Sequence, residues 1–206
     1  MNKNVLVPKS ILAVYAVLFL ACAISPYDRL VWVAEIAPMI LIVLAVAIVS
    51  KYYYRFSNTS YILMAFLVYL HTIGSHYTFE RVPFGLITEL FGFSRNHFDR
   101  MAHFTVGFYA YPVIELTLEK RLINGKKTAI AFGIFAIMTV AAAYEILEWI
   151  FAVMAEPDAG TAVLGSQGDI WDAQKDMLAD GLGAITAAAI YLLMNKRKAT
   201  ENLNHD

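Results

Sequence analysis

Apolar positions run along the chain in six blocks, roughly 10–26, 32–50, 60–77, 98–118, 128–154 and 170–194. Each block, coiled as a helix, is long enough to cross about 30 Å of hydrocarbon with some tilt. Polar, Gly- and Pro-containing joints such as "SPYD", "INGKK" and "EPDAG" separate them. The pattern predicts an all-α integral membrane protein, a bundle of about six transmembrane helices with both termini cytoplasmic. One membrane domain would span 1–206: a two-helix part (1–59), a four-helix motif-bearing core (60–195) and a cytoplasmic tail (196–206). The first block follows lysines, as a signal peptide would, but the apolar blocks behind it make it a retained first helix. The segment 78–97, "TFERVPFGLITELFGFSRNH", is too polar to span and too apolar for a plain loop. It reads equally as an interfacial or re-entrant roof over the bundle or as a folded outer loop.

Composition sharpens this picture in two places. A mean hydropathy of +0.57 with only 16% charged residues excludes an ordinary soluble domain. A net charge of −1 supplies no basic field for nucleic acid, and the single cysteine, Cys22, excludes an intramolecular disulfide. The orientation follows from Lys3, Lys9, Lys51, Arg55, Lys120, Arg121, Lys126, Lys127, Lys196, Arg197 and Lys198, 11 of the 16 basic residues, which fall on one side. Trp32, Trp149 and Trp171 then fall at the opposite, outer boundary.

With that topology, ionisable residues from four helices reach the same depth toward the outer side. They are His71 and His76 on the third block, His97, Asp99 and His103 on the fourth, Glu145 and Glu148 on the fifth, and Asp169, Asp172, Asp176 and Asp180 on the sixth. The four aspartates fall within an arc of about 80° at 100° per residue, and Asp99 with His103 and Glu145 with Glu148 also share faces. A charge near the bilayer centre costs about 2.5–3.5 kcal/mol even on a lenient scale. Such a ladder therefore calls for a cation or for Arg95, Arg100 and Lys175. Imidazole with carboxylate suits Zn, Mn or Fe. The candidate ligands are His71, His103, Glu145 and Asp176, holding one or two divalent ions.

Plainer roles compete with these. Asp169 and Asp172 can cap the sixth helix. Glu145 and Glu148 can pair with Arg95 and Arg100, and His76 and His97 can be solvated at the interface. His205 belongs to a charged tail, and Glu115 to a different environment nearer the cytoplasmic end.

"HTIGSHYTF", "RNHFDRMAHF", "YEILEWIF" and "LGSQGDIWDAQKDMLADGLGA" closely resemble the YjdF-like family of bacterial inner-membrane proteins over residues of about 60–190. The resemblance implies a multi-pass inner-membrane protein and carries no reaction with it. Asp99 through Phe104, Glu145 or Glu148, and Asp176, Asp180 and Gly183 are more distantly similar to VanZ-like membrane proteins, with Arg100 and Asp180 departing from that pattern.

The expected function is a metal-dependent hydrolase or transferase acting at the outer leaflet on a lipid or lipid-linked phosphate. Metal-bound water would be the nucleophile, Glu148 or Asp172 the general base, and Arg95 and Arg100 the anion holders. The alternatives are a non-catalytic envelope protein that binds a lipid headgroup or partner, and a proton or ion transporter.

Overall fold

The computed structural model describes residues 3–154, 160 and 163–203, with the side chains of the last helix described through Asn195. His205 and the basic side chains of the tail lie outside the described residues. All regular structure among the described residues is helical. The elements are α1 (Leu6–Ala23), α2 (Arg29–Tyr52), α3 (Asn58–Tyr77), the short α4 (Gly85–Leu90), α5 (Phe98–Val106), α6 (Ala110–Glu119), α7 (Lys126–Met154) and α8 (Asp172–Leu203). A 3₁₀ turn, Gly107–Tyr109, joins α5 to α6.

The helices start where local chemistry dictates. Asp28 accepts hydrogen bonds from the backbone N–H groups of Leu30 and Val31 at 2.8 and 3.0 Å, and Ser57 accepts one from Ser60 N–H at 3.3 Å. Both satisfy donors that a helix start leaves unpaired.

Four helices, α1, α2, α7 and α8, are long and apolar enough to cross a membrane. The third and fourth apolar blocks of the sequence fold differently. Residues 58–77 form one helix, and residues 98–119 form the broken sequence α5–3₁₀–α6. Both lie inside the bundle, with many of their side chains buried. α3 packs on α1, α2 and α5, while α8 packs on α5, α6 and α7. Of the 78–97 segment, Phe79 and Val82 are buried against Phe98 and Ala102, whereas Leu86, Leu90 and Phe91 on and beside α4 are exposed.

One contact sets the geometry of the centre. A Cβ on Gly107 would strike the backbone of Asp180, Gly183 and Ala184, and a Cβ on Gly183 would strike the Phe104 carbonyl. The 3₁₀ turn and α8 therefore meet backbone to backbone, as small residues allow in membrane bundles. Below the crossing, Ala184, Ala187, Ala188 and Tyr191 pack against Ala110, Tyr111 and Ile114.

Gly183→Val is expected to separate these elements and destabilise the fold by at least about 1–3 kcal/mol, the usual cost of overpacking. Gly85→Ala, where a Cβ meets nothing within 4 Å, should stay within about 0.5 kcal/mol of wild type. Chemical unfolding in detergent micelles, with far-UV circular dichroism as readout, tests both.

Candidate metal centre

The loop before α8, "GSQGD", is shaped by left-handed backbone at Gly165, Gln167 and Gly168. That turn presents two of its carbonyls to the buried Arg95. Arg95 donates to Ser166 O at 2.9 Å and to Gly165 O at 3.1 Å. Gln167 clamps the backbone of Asn96, its Oε1 accepting from Asn96 N–H at 3.0 Å and its Nε2 donating to Asn96 O at 2.9 Å. The Asn96 amide in turn donates to Glu80 O and Val82 O. Three chain segments are thus tied together directly above α5 and α8.

Beneath this clasp lies a layer of paired charge. Asp172 Oδ1 accepts from both Arg95 and Arg100, the latter at 2.7 Å. Arg100 also donates to Asp169 Oδ2 at 2.9 Å, and Lys175 reaches the same oxygen at 2.6 Å. The arginines expected as anion holders, and Asp172 expected as a base, are therefore engaged with one another. Glu145 and Glu148 are not the arginines' partners; Asp169, Asp172 and Asp176 are. Asp169 and Asp172 also keep the expected place at the start of α8, where Asp169 accepts from Trp171 N–H at 3.1 Å.

One turn deeper the balance reverses. His103, buried on α5, faces four carboxylates. Its Nδ1 lies 3.3 Å from Asp180 Oδ2, and its Nε2 lies 3.8 Å from Asp99 Oδ1 and 4.0 Å from Glu145 Oε1. Asp99, His103 and Asp176 each present a ligand atom within 4.8 Å of the other two. Asp176 is 2% exposed and Asp180 0%. Even so, Asp176 Oδ1, Asp180 Oδ1 and Glu145 Oε1 are buried without a hydrogen bond. The nearest cation, Arg100 Nε, stands 3.4 Å from Asp176 Oδ1. Unpaired buried acceptors are costly, which sets these three oxygens apart from the paired layer above.

A cavity of about 90 Å³ opens beside His103, with room for a few waters, and is lined by Glu35, His71, Asp99, Tyr144 and Glu148 among others. Glu35 and Tyr144 are the residues that sequence reasoning missed. Glu35, on α2, is 4% exposed. Its Oε2 lies 3.2 Å from His71 Nε2 and accepts from the Tyr144 hydroxyl at 3.3 Å. His71 also meets the Glu35 carbonyl at 3.0 Å. It lines the cavity but stands with Glu35, apart from the His103 group. The other two histidines are elsewhere too. His76 Nδ1 lies 2.8 Å from Cys22 O at the end of α1, and His97 rests edge-on against Phe93 at 4.6 Å. Burial first, and then Arg100 and Arg95 nearby, push the His97 imidazole below its ordinary pKa.

Two outcomes follow from the charged layer. Arg95→Ala leaves Asp172 buried beside a single arginine and is expected to cost about 3–5 kcal/mol in chemical unfolding. Arg81→Ala, at the exposed Glu80 pair, should cost less than about 1 kcal/mol. Asp169 is held well below the usual carboxylate range by its hydrogen bond from Lys175, then by Arg100 and the Trp171 N–H. A lowered pKa in the folded state stabilises above the unfolded value of about 3.9 and loses that contribution as pH falls further. The difference in melting temperature between wild type and Asp169→Asn should therefore be full at pH 6 and shrink below about pH 4.

Comparison with known proteins agrees with this architecture. A family profile described as "Predicted membrane protein (DUF2238)" matches residues 7–197. Inner membrane protein YjdF of Escherichia coli (strain K12) is 33% identical over 169 residues, covering 79% of this chain and 78% of that protein. No solved structure matches. Helices made for a bilayer and a profile that spans nearly the whole chain lead to one conclusion: this is a multi-pass membrane protein of the DUF2238 family, related to YjdF.

Proposed function

We propose that Asp99, His103 and Asp176, with Glu145 at their edge, bind a divalent ion of the Zn, Mn or Fe type, and that the protein is a metal-dependent hydrolase or transferase acting on a lipid-linked phosphate. The observation that carries this reading is the surrounding of one imidazole nitrogen. His103 Nε2 stands 3.8 and 4.0 Å from two carboxylate oxygens, too far for hydrogen bonds. Those separations suit ligands that share an ion about 2.1 Å from each. Asp180, on the far nitrogen at 3.3 Å, is placed as the carboxylate that orients a metal-bound histidine.

The cavity beside this group favours a catalytic site over a closed structural one, because a catalytic ion keeps a position for water. The ion would lower the pKa of that water. Glu148, which lines the cavity, is the base within reach, whereas Asp172 is committed to two arginines. The arginines serve in this reading to hold the aspartate layer.

In the membrane, α3 and α5–α6 would be the third and fourth of six spans. α3 has 20 residues, about 30 Å of helix, and its polar residues meet polar partners inside the bundle, Ser60 with Glu115 and His71 with Glu35. With the basic residues of 51–55 and 120–127 cytoplasmic, both termini share that side and the His103 group lies toward the periplasm.

Protein purified without a His tag or added metal should carry about one equivalent of Zn, Mn or Fe by mass spectrometry, and a His103→Ala/Asp176→Ala variant should carry none. Wild-type protein without metal, or a folded variant that keeps it, would overturn the reading. Release of phosphate from a lipid-linked diphosphate, lost in Glu148→Gln with metal retained, tests the reaction.

A further inference from the structure

A second cavity lies at the end of the bundle where α1 begins and α2 ends, and of its lining only Ile42 also borders the cavity beside His103. It is a groove of about 670 Å³ between α1, α2 and α3. That volume falls in the range of about 300–1,000 Å³ typical of ligand sites. Its walls are apolar, formed by side chains such as Leu12, Val43, Val46 and Val68. Its polar lining is unlike them. Lys9, Lys51 and Arg55 come from three different segments to one groove, with no carboxylate among the lining residues. None of the three forms an ion pair among the described residues, although pairs hold other basic residues of the chain.

We propose that this groove binds an anionic phospholipid, its acyl chain between α1 and α2 and its phosphate against Lys9, Lys51 and Arg55. The charge arrangement decides the class. An apolar groove in a bilayer would accept the tail of any lipid, but three cations with no carboxylate partner among the described residues, Lys51 resting over the Tyr52 ring, distinguish an anionic headgroup from a zwitterionic one. Basic pockets between membrane helices are known to bind anionic headgroups in this way. Hydrogen-bonding groups stand beside the cations as well: the Tyr61 hydroxyl donates to Ser50 Oγ at 2.9 Å, and both residues line the groove. The site is independent of the proposed metal centre and can stand or fall without it.

The wall of the groove is firmly built. Tyr69 donates its hydroxyl to Ile11 O at 2.8 Å and stacks on Tyr15 at 6.3 Å, tying α1 to α3. α1 is thereby held across the groove while most of its other side chains remain outward.

The test is lipid retention in native mass spectrometry of the full chain, titrated in detergent with dioleoyl-phosphatidylglycerol or dioleoyl-phosphatidylcholine. Wild type should retain one phosphatidylglycerol in preference to phosphatidylcholine. Each charge removed should weaken that binding about fivefold, so Lys9→Gln/Arg55→Gln should bind about 25-fold more weakly. Two controls keep the site distinct from general surface charge. Lys126→Gln/Lys127→Gln removes equal charge on the same face outside the groove and should leave retention unchanged. Ala47→Trp fills the groove without altering charge and should abolish it. Equal retention of the two lipids by wild type, or equal loss in the 126/127 variant, would overturn the proposal. So would undiminished retention by Ala47→Trp. Circular dichroism of each variant confirms that it is folded.

Discussion

The contact between Gly107 and Gly183 governs the distances on which everything else depends. Neither position tolerates a Cβ, because each faces backbone of the other element. A helix pair held at that separation leaves too little room between its next residues for a layer of lipid or of large side chains. His103, one turn before Gly107, and Asp180, three residues before Gly183, are thereby brought to 3.3 Å. The 3₁₀ turn at Gly107–Tyr109 belongs to the same constraint, since the helix tightens where α8 presses against it.

The charged residues above this crossing form two layers with different balances. In the upper layer Arg95, Arg100 and Lys175 meet Asp169 and Asp172, so the charges nearly cancel, and the loop carbonyls of Gly165 and Ser166 complete the Arg95 coordination. In the lower layer Asp99, Glu145, Asp176 and Asp180 share His103, with Arg100 reaching only the edge of Asp176. One imidazole offers at most two ring nitrogens to four carboxyl groups. Desolvation makes the imbalance more costly with depth, so the surplus of oxygen ligands is greatest where water is scarcest.

Much of this was legible in the sequence, and the part that was not has a physical cause. The aspartates of 169–180 share a face because helical periodicity is local, and the structure brings Asp176 and Asp180 to His103 as that face requires. Asp99 and His103 were paired for the same reason. Which carboxylate meets which arginine depends on helix rotation and on the loop 165–168, whose left-handed turn no periodicity encodes. Arg95, Arg100 and Lys175 meet the aspartate ladder, as its charge requires, while the competing pairing of the arginines with Glu145 and Glu148 does not form. Glu35 was passed over because it is a lone acid in an apolar helix, and only tertiary packing reveals His71 and Tyr144 as its partners. The one available signal was its cost, since a single unexplained carboxylate in an apolar span already requires a partner. Among the described residues four helices have the length and apolar character of spans; α3 falls short because of its polar residues, and α5–α6 because the 3₁₀ turn divides it.

The protein itself shows what a self-sufficient buried carboxylate looks like. Glu115, at the opposite end of the bundle, is 0% exposed. Its Oε1 accepts from the Tyr54 hydroxyl and Ser57 N–H, both at 2.8 Å. Its Oε2 accepts from Ser57 Oγ at 2.6 Å and from Ser60 Oγ. Both oxygens are doubly satisfied without any cation, the condition under which a buried carboxylate is tolerated. The sequence supplies those donors from the stretch 54–60, immediately before and within the first turn of α3. Nothing comparable surrounds Asp176, Asp180 or Glu145, although Ser, Thr and Tyr are plentiful in this chain. Asp176 Oδ1, Asp180 Oδ1 and Glu145 Oε1 have no such donors among the described residues, so the two ends of the bundle bury their acids under different conditions.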